Sequence, residues 1–216
     1  SALNTVMLDT IRSSGCELLL SGTFTNVIRS AGRIDSIDVD TPDGPITVEA
    51  TAFIDCTADI HLARTAGCES AIGVEPRSTY DEPSAPAQPE PDLNNASLCY
   101  RITQLKDHEP GEIPPPPDGI DLNAINPVTS IRTYPNGDRN MNPLQLMTGR
   151  EAFELGEKEY AESYRRIKAQ WHVLQTRYGF EFERWRMTRV SPMLGIRETH
   201  RLVGEHVLTE HDVETP

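Results

Sequence analysis

Apolar residues at Leu3, Val6, Met7 and Ile11 recur at helical spacing, and Gly15 follows where a left-handed cap would close a helix. The pattern therefore predicts a helix over 3–13. Four β-type runs come next, at 17–20, 23–30, 33–40 and 46–54, with turn chemistry in Ser30-Ala31-Gly32 and Thr41-Pro42-Asp43-Gly44. Val27, Ile28, Ile34, Ile37, Val39, Ile46 and Val48 supply the β-branched side chains that fill a pleated surface. This part of the chain reads as a helix leading into a strand and a hairpin meander.

The pattern changes after Gly73. Ten of the 17 prolines fall between Pro76 and Pro117, among them the run Pro114-Pro115-Pro116-Pro117. Proline removes a backbone donor and favours the extended polyproline conformation, so 74–94 and 107–120 are expected as loops or partly disordered segments. The proline run reads as a semi-rigid connector. Between the two segments an apolar island, 96–105, is predicted as one strand.

A long helical pattern follows. Thr148-Gly149-Arg150-Glu151 has the form of a capping box, in which the Thr and Glu side chains satisfy exposed donors at a helix start. Phe153, Tyr160, Tyr164, Ile167, Trp171, Leu174 and Tyr178 then line one face, up to Gly179. A continuous helix over 149–178 would be about 45 Å long. Its aromatic stripe reads as packing surface. Two short elements are expected at 182–190 and 193–203, and Thr209-Glu210-His211-Asp212 resembles another helix start. The whole is predicted to be an α+β chain in three stretches, 1–73, 74–120 and 121–216.

Composition narrows the function. The 216 residues carry 33 acidic and 20 basic side chains, a formal charge of -13. That field repels a phosphate backbone, so no nucleic-acid partner is expected. No apolar run is long enough for a membrane span. Cys16, Cys56, Cys68 and Cys99 include no C-x-x-C pair, which argues against a structural zinc site or a redox dithiol, and Cys56 reads as a small buried filler. Asp59 and His61 lack a third ligand, and no metal is expected. Asn95-Ala96-Ser97 is a glycosylation sequon of a kind that chance produces often. Residues 149–201 are locally basic, with 11 cationic against 8 anionic side chains. Their cluster Arg184, Arg186, Arg189, Arg197 and Arg201 suits an anionic ligand.

Two segments carry chemistry. Phe53-Ile54-Asp55-Cys56-Thr57-Ala58-Asp59-Ile60-His61-Leu62-Ala63, followed by Ala66-Gly67, resembles a motif of FAD-dependent oxidoreductases with the glutathione-reductase-type FAD fold. That motif usually reads Ile-Asp-Ala-Thr-Gly-Asp-Gly-Asp-Leu-Ala. The second, Gly195-Ile196-Arg197-Glu198-Thr199-His200-Arg201-Leu202-Val203-Gly204-Glu205, is similar to the family's Gly-x-Arg-Glu-x-Arg-Arg-x-x-Gly-Glu stretch. The order of elements agrees along almost the whole chain. The resemblance implies a β-meander and sheet portion of an FAD-binding domain in 1–73. It also implies a substrate-domain portion in 121–216. Thr57, Ala58 and Asp59 would neighbour the flavin, and the backbone of Phe24 would meet the adenine. Arg197, Glu198 and Arg201 would lie on the flavin and substrate side as the candidate catalytic set, able to orient a charged small-molecule substrate.

The sequence also departs from the family pattern. Ala58 and Ile60 stand where the family has glycines, His61 where it has Asp, and His200 where it has Arg. No Gly-x-Gly-x-x-Gly occurs among the 14 glycines, although that loop holds the FAD pyrophosphate at a helix N-terminus. Ser1-Ala2-Leu3 begins inside the first amphipathic pattern. The chain is therefore expected to be a central fragment of an FAD-dependent oxidoreductase, inactive and without retained FAD in isolation. An open sheet edge or the helix over 149–178 would pair two copies into a homodimer. The alternative is a non-catalytic binding or scaffold module that keeps the flavoprotein fold. Polar loops and surface aromatics also raise, more weakly, a carbohydrate-active protein.

Overall fold

The computed structural model describes residues 2–214. Ser1, ahead of the first expected helix, and Thr215 and Pro216, beyond the last expected helix start, lie outside the described residues. Helices and antiparallel sheets make the chain α+β. It divides into two compact units, Ser1–Ser70 and Ala71–Pro216.

In the first unit α1 (Ala2–Ser13) ends at Gly15, whose φ of 80° is the left-handed cap the pattern predicted. A three-stranded antiparallel meander follows, β1 (Thr23–Ser30), β2 (Arg33–Thr41) and β3 (Gly44–Glu49), in that spatial order. The first hairpin turns on Ala31 (φ 46°) and Gly32 (φ 78°), with Ser30 opposite Arg33. Two positive φ values in a two-residue loop match the twist of the flanking strands. A short helix, α2 (His61–Thr65), closes the unit.

Two strand expectations fail here. Residues 16–20 form no strand, and the run expected over 46–54 ends at Glu49. Both segments have strand composition, but no described strand offers them a ladder, so their apolar side chains stay in solvent. Leu20 is 64% exposed and Ile54 86%. Among the described residues of this unit only Ser36, Val39 and Ala66 are buried.

The second unit contains the main core. After the two-residue β4 (Ser70–Ala71) at the junction and the single turn α3 (Arg77–Tyr80), four strands form an antiparallel sheet. They are β5 (Tyr100–Gln104), β6 (Thr129–Thr133), β7 (Arg139–Pro143) and β8 (Trp185–Val190), in the order β6-β7-β5-β8. The β6–β7 hairpin goes beyond the elements the sequence pattern predicts. Its signal is Pro135-Asn136-Gly137-Asp138, where Gly137 takes φ 87° and the Tyr134 amide donates to the Asp138 carbonyl.

The helical run begins as the capping box requires, with the Glu151 amide donating to the Thr148 hydroxyl at 3.1 Å. It comes in two α-helical pieces, α4 (Gly149–Leu155) and α5 (Glu159–Arg177), joined by a 3-10 turn at Gly156–Lys158. Gly156, at φ 53° and ψ -128°, breaks the ladder between them. Most of the stripe on α5 is internal packing, although Tyr164 stays exposed. Ile167, Trp171 and Leu174 join Leu98, Tyr100, Ile102 and Met141 from the sheet side, with Phe182 of α6 (Gly179–Phe182) and Trp185. Trp171 meets Tyr100 and Phe182 edge to face, at centroid distances of 6.1 and 6.0 Å. Inside this core the Tyr100 hydroxyl donates to Gln170 Oε1, and Gln170 Nε2 donates to the Asn126 carbonyl.

The proline-rich stretches are tied down at their backbones. Gln175 donates to the Glu112 carbonyl, Arg165 donates to that of Asp118, and His172 Nδ1 bonds that of Pro114. Val74 and Glu90 exchange backbone hydrogen bonds across the first stretch. The element expected over 193–203 shrinks to the two-residue β9 (Arg201–Leu202), and α7 (Glu210–Glu214) is the last helix.

Candidate functional site

The candidate residues fall into two groups, Phe24, Thr57, Ala58 and Asp59 in the first unit and Arg197, Glu198 and Arg201 in the second. Each group has its own geometry.

In the first unit the turn at 55–63 is organised by one carboxylate. Asp55 Oδ1 accepts from the Thr57 amide at 2.9 Å and from its hydroxyl at 2.7 Å, while Oδ2 accepts from the Ala63 amide at 3.0 Å. The Thr57 hydroxyl oxygen accepts in turn from the His61 amide at 2.8 Å, which seats the start of α2. Burial raises the Asp55 carboxyl, but the donors from Ala63, Thr57 and Leu62 outweigh it and hold it below the usual range. Ile60, at φ 46° and ψ 44°, adopts the left-handed conformation at the helix start. A β-branched residue is strained there, and the family pattern places glycine at this position. Thr57 and Ala58 are exposed, and Asp59 is half-buried. Phe24 lies on β1, one of the two outer strands of the meander, opposite Val39. Cys56, expected as buried filler, is exposed, because the chain around it joins no sheet.

In the second unit the Arg-Glu segment follows a close backbone approach. Ser97 and Gly195 exchange backbone hydrogen bonds, and a Cβ at Gly195 would sit 3.1 Å from the Ser97 carbonyl oxygen, tighter than ordinary contact. Arg201 donates to Glu198 at 2.6 Å, to Glu75 at 2.7 Å and to the Gly73 carbonyl. Glu198 also accepts from Asn94, through its amide at 3.2 Å and its side chain at 2.9 Å. Glu198 and Arg201 are thus engaged with each other and with the 73–94 segment. Arg197 is exposed, and its guanidinium has no hydrogen-bond or ion-pair partner among the described residues. Its charge acts on Cys99, whose thiol burial pushes up while Asn140 and Arg197 pull it partly back. Of the remaining cluster, Arg184 donates to the Glu109 and Lys106 carbonyls, and Arg186 pairs with Glu109 at 3.7 Å.

A cavity of about 450 Å³ lies between the 119–126 segment and the helices, walled by Asn126, Gln145, Glu151 and Arg166 among others. Its cations are neutralised. Arg166 bridges Glu151 and Glu162 and donates to the Leu146 carbonyl, and Arg165 also pairs with Glu162. The hydrogen bond from Arg165 is the main cause that holds the Glu162 carboxyl low. A second cleft, of about 280 Å³, borders Asn95, Ser97 and Arg197. The pattern of the sequence gave no sign of either.

Asp59 and His61 approach to 3.5 Å, and no group of three or more metal-ligating side chains assembles among the described residues. Among these residues no helix is long and apolar enough to cross a membrane.

For an FAD, the fit is partial. The outer edge of β1 at Phe24 and the exposed turn at Thr57-Ala58 present backbone of the kind a nucleotide and a flavin ring approach. A glycine-rich pyrophosphate loop is absent from the sequence. No curated protein and no solved structure matches the chain. The family model described as FAD dependent oxidoreductase matches residues 1–216, so the chain belongs to the FAD-dependent oxidoreductase family.

Proposed function

We propose that the chain forms the flavin-side turn and part of the substrate-side wall of an oxidoreductase acting on a small organic substrate, with the pyrophosphate-binding loop supplied by sequence outside these 216 residues. A bound flavin would supply the two-electron chemistry. The chain's own residues would position it and the substrate. Thr57, Ala58 and Asp59 would flank the flavin, the Phe24 backbone would face the adenine, and Arg197, Glu198 and Arg201 would order the substrate side. The region to residue 73 would serve the cofactor, and 121–216 the substrate.

The observation that carries this reading is the turn from Asp55 to Ala63. One carboxylate gathers three donors to hold an exposed loop, and the loop keeps a glycine-like backbone at Ile60 despite its branched side chain. Strain of that kind persists where the surrounding structure requires the conformation. The apolar side chains exposed outside any strand, Leu18, Leu19, Leu20 and Ile54, agree with a sheet that further strands would complete.

The replaced glycines favour a second reading, a module that keeps the fold without the chemistry, since Ala58 and Ile60 narrow the space beside the turn. Expression of the complete encoding reading frame separates the two. The enzyme reading expects an upstream strand with Gly-x-Gly-x-x-Gly and a yellow protein holding about one flavin per chain. A frame without that loop, yielding colourless protein, would favour the module. The 216-residue chain alone is expected to hold no flavin and to turn over no substrate.

A further inference from the structure

The cleft beside Arg197 has a chemistry of its own. Its polar lining is Asn94, Asn95, Ser97, Gln145 and Arg197, and none of its lining residues is acidic, in a chain of formal charge -13. Three of these groups are uncommitted. The Arg197 guanidinium, the Asn95 carboxamide and the Ser97 hydroxyl make no hydrogen bond among the described residues. Asn94 has its side-chain NH₂ fixed on Glu198 at 2.9 Å, and that carboxylate is in turn ion-paired with Arg201. Gln145 Oε1 accepts from Asn126 at 3.0 Å, which leaves its NH₂ end as the spare group. Gln145 is also held at φ 57°, in the left-handed region that non-glycine residues rarely adopt.

The cleft thus presents uncommitted donors and one cation. A guanidinium fork matches the two oxygens of a carboxylate, and amide and hydroxyl donors suit the remaining oxygens of a hydroxy or keto acid. With a single cation and no helix N-terminus in the lining, a monoanion is matched better than a phosphate dianion. The volume, about 280 Å³, equals roughly nine waters in the liquid, room for a small acid.

We propose that this cleft binds the carboxylate of a small organic acid, with Arg197 gripping the carboxylate and Asn95 and Ser97 holding the adjoining polar atoms. The proposal rests on the reading of Arg197 as a substrate-side residue and narrows the substrate to that class.

The test is a titration of the isotope-labelled 216-residue chain, followed by backbone amide shifts, with lactate, succinate and benzoate. Lactamide serves as the uncharged counterpart and inorganic pyrophosphate as the phosphate arm. At least one acid should give saturable shifts centred on Asn95, Ser97 and Arg197, and lactamide none there. Arg197→Gln should weaken binding about tenfold or more, since a hydrogen bond to a charged group contributes roughly 1.5–3 kcal/mol. Arg197→Lys should fall between, and Arg132→Gln, on β6 outside the cleft, should bind like the parent chain. Arg197 is exposed, so spectra away from the cleft should be unchanged in its variants. The proposal is overturned if no acid saturates, if lactamide binds equally, if Arg197→Gln binds undiminished, or if pyrophosphate is preferred. Flavin content of the full reading frame is scored separately. Colourless protein whose cleft still binds acids sinks the flavin reading alone, and yellow protein with a cleft blind to acids sinks this proposal alone.

Discussion

Asp55 reaches across eight residues to accept a hydrogen bond from the Ala63 amide at 3.0 Å, while its other oxygen takes both donors of Thr57. One ionised side chain therefore fixes the turn and the first residues of α2. These bonds favour the ionised form and hold the carboxyl low in the folded chain. A lowered folded-state value gives stability that is complete above the unfolded value, about 4, and is lost as pH falls through the folded value. The turn should thus open locally below about pH 4. Hydrogen exchange of the Ala63 amide, corrected for its intrinsic pH dependence, should lose protection there. In Asp55→Asn the same protection should be missing at neutral pH, at a local cost of roughly 1–3 kcal/mol. Unchanged Ala63 protection in that variant would show that the carboxylate does not organise the turn.

The hairpin between β1 and β2 is expected to be improvable at one position. Ala31 is exposed and sits at φ 46° beside Gly32 at φ 78°. Asn tolerates the left-handed region far better than Ala, and Asn-Gly is the preferred pair for this turn. Ala31→Asn should stabilise the meander by about 0.5–1 kcal/mol, and Ala31→Val should destabilise it by about 1–2 kcal/mol. Exchange protection of the β1 and β2 amides reads both. Equal effects of the two substitutions would contradict the assigned turn.

The core of the second unit depends on a buried polar pair. Tyr100 is almost wholly buried, and its hydroxyl is given to Gln170 Oε1 at 3.1 Å. Burial pushes the phenol far above its ordinary range, so it remains a neutral donor throughout the folded pH range. Tyr100→Phe strands the Gln170 oxygen and should cost about 1–3 kcal/mol in denaturant unfolding. Gln170→Met strands the buried Tyr100 hydroxyl and also orphans the Asn126 carbonyl, and should cost at least as much. The double variant should cost less than the sum of the two. Additive effects would mean that the pair does not interact.

Local chemistry was legible in the sequence where a few neighbouring residues decide the outcome. Gly15, the Thr148 cap and the hairpin at Ala31-Gly32 each act within one turn, and each appears where the pattern put it. The run at 17–20 and the part of the 46–54 run beyond Glu49 form no strand because a strand needs a partner, and composition cannot report a missing one. The β6–β7 hairpin carried a readable Asn136-Gly137 signal that the flanking prolines and polar residues masked. For the candidate site, the motif pointed to Arg197, Glu198 and Arg201 alike. Only the fold distinguishes them, because Glu75 and Asn94 come from distant sequence to engage Arg201 and Glu198 while Asn95 and Ser97 share a cleft with Arg197.

Self-association should follow from the first unit and not from the long helix. Ile167, Trp171 and Leu174 are covered by the chain's own sheet, so the stripe that suggested a helical dimer keeps only Phe153, Tyr164 and Tyr178 in solvent, each less exposed than Leu19, Leu20 or Ile54. In the first unit Leu18, Leu19, Leu20 and Ile54 remain exposed on segments that join no ladder, and β1 is an edge strand. Unpaired extended segments with apolar side chains are templates for another copy. Light scattering of the 216-residue chain should show a mass that rises with concentration. Leu19→Lys with Ile54→Lys should return it toward the single-chain value of 24.0 kDa. Because both side chains are already in solvent, the double variant should leave unfolding of the second unit unchanged. A constant single-chain mass at high protein concentration would show that these edges do not pair, and would leave their exposure to be relieved by some other segment.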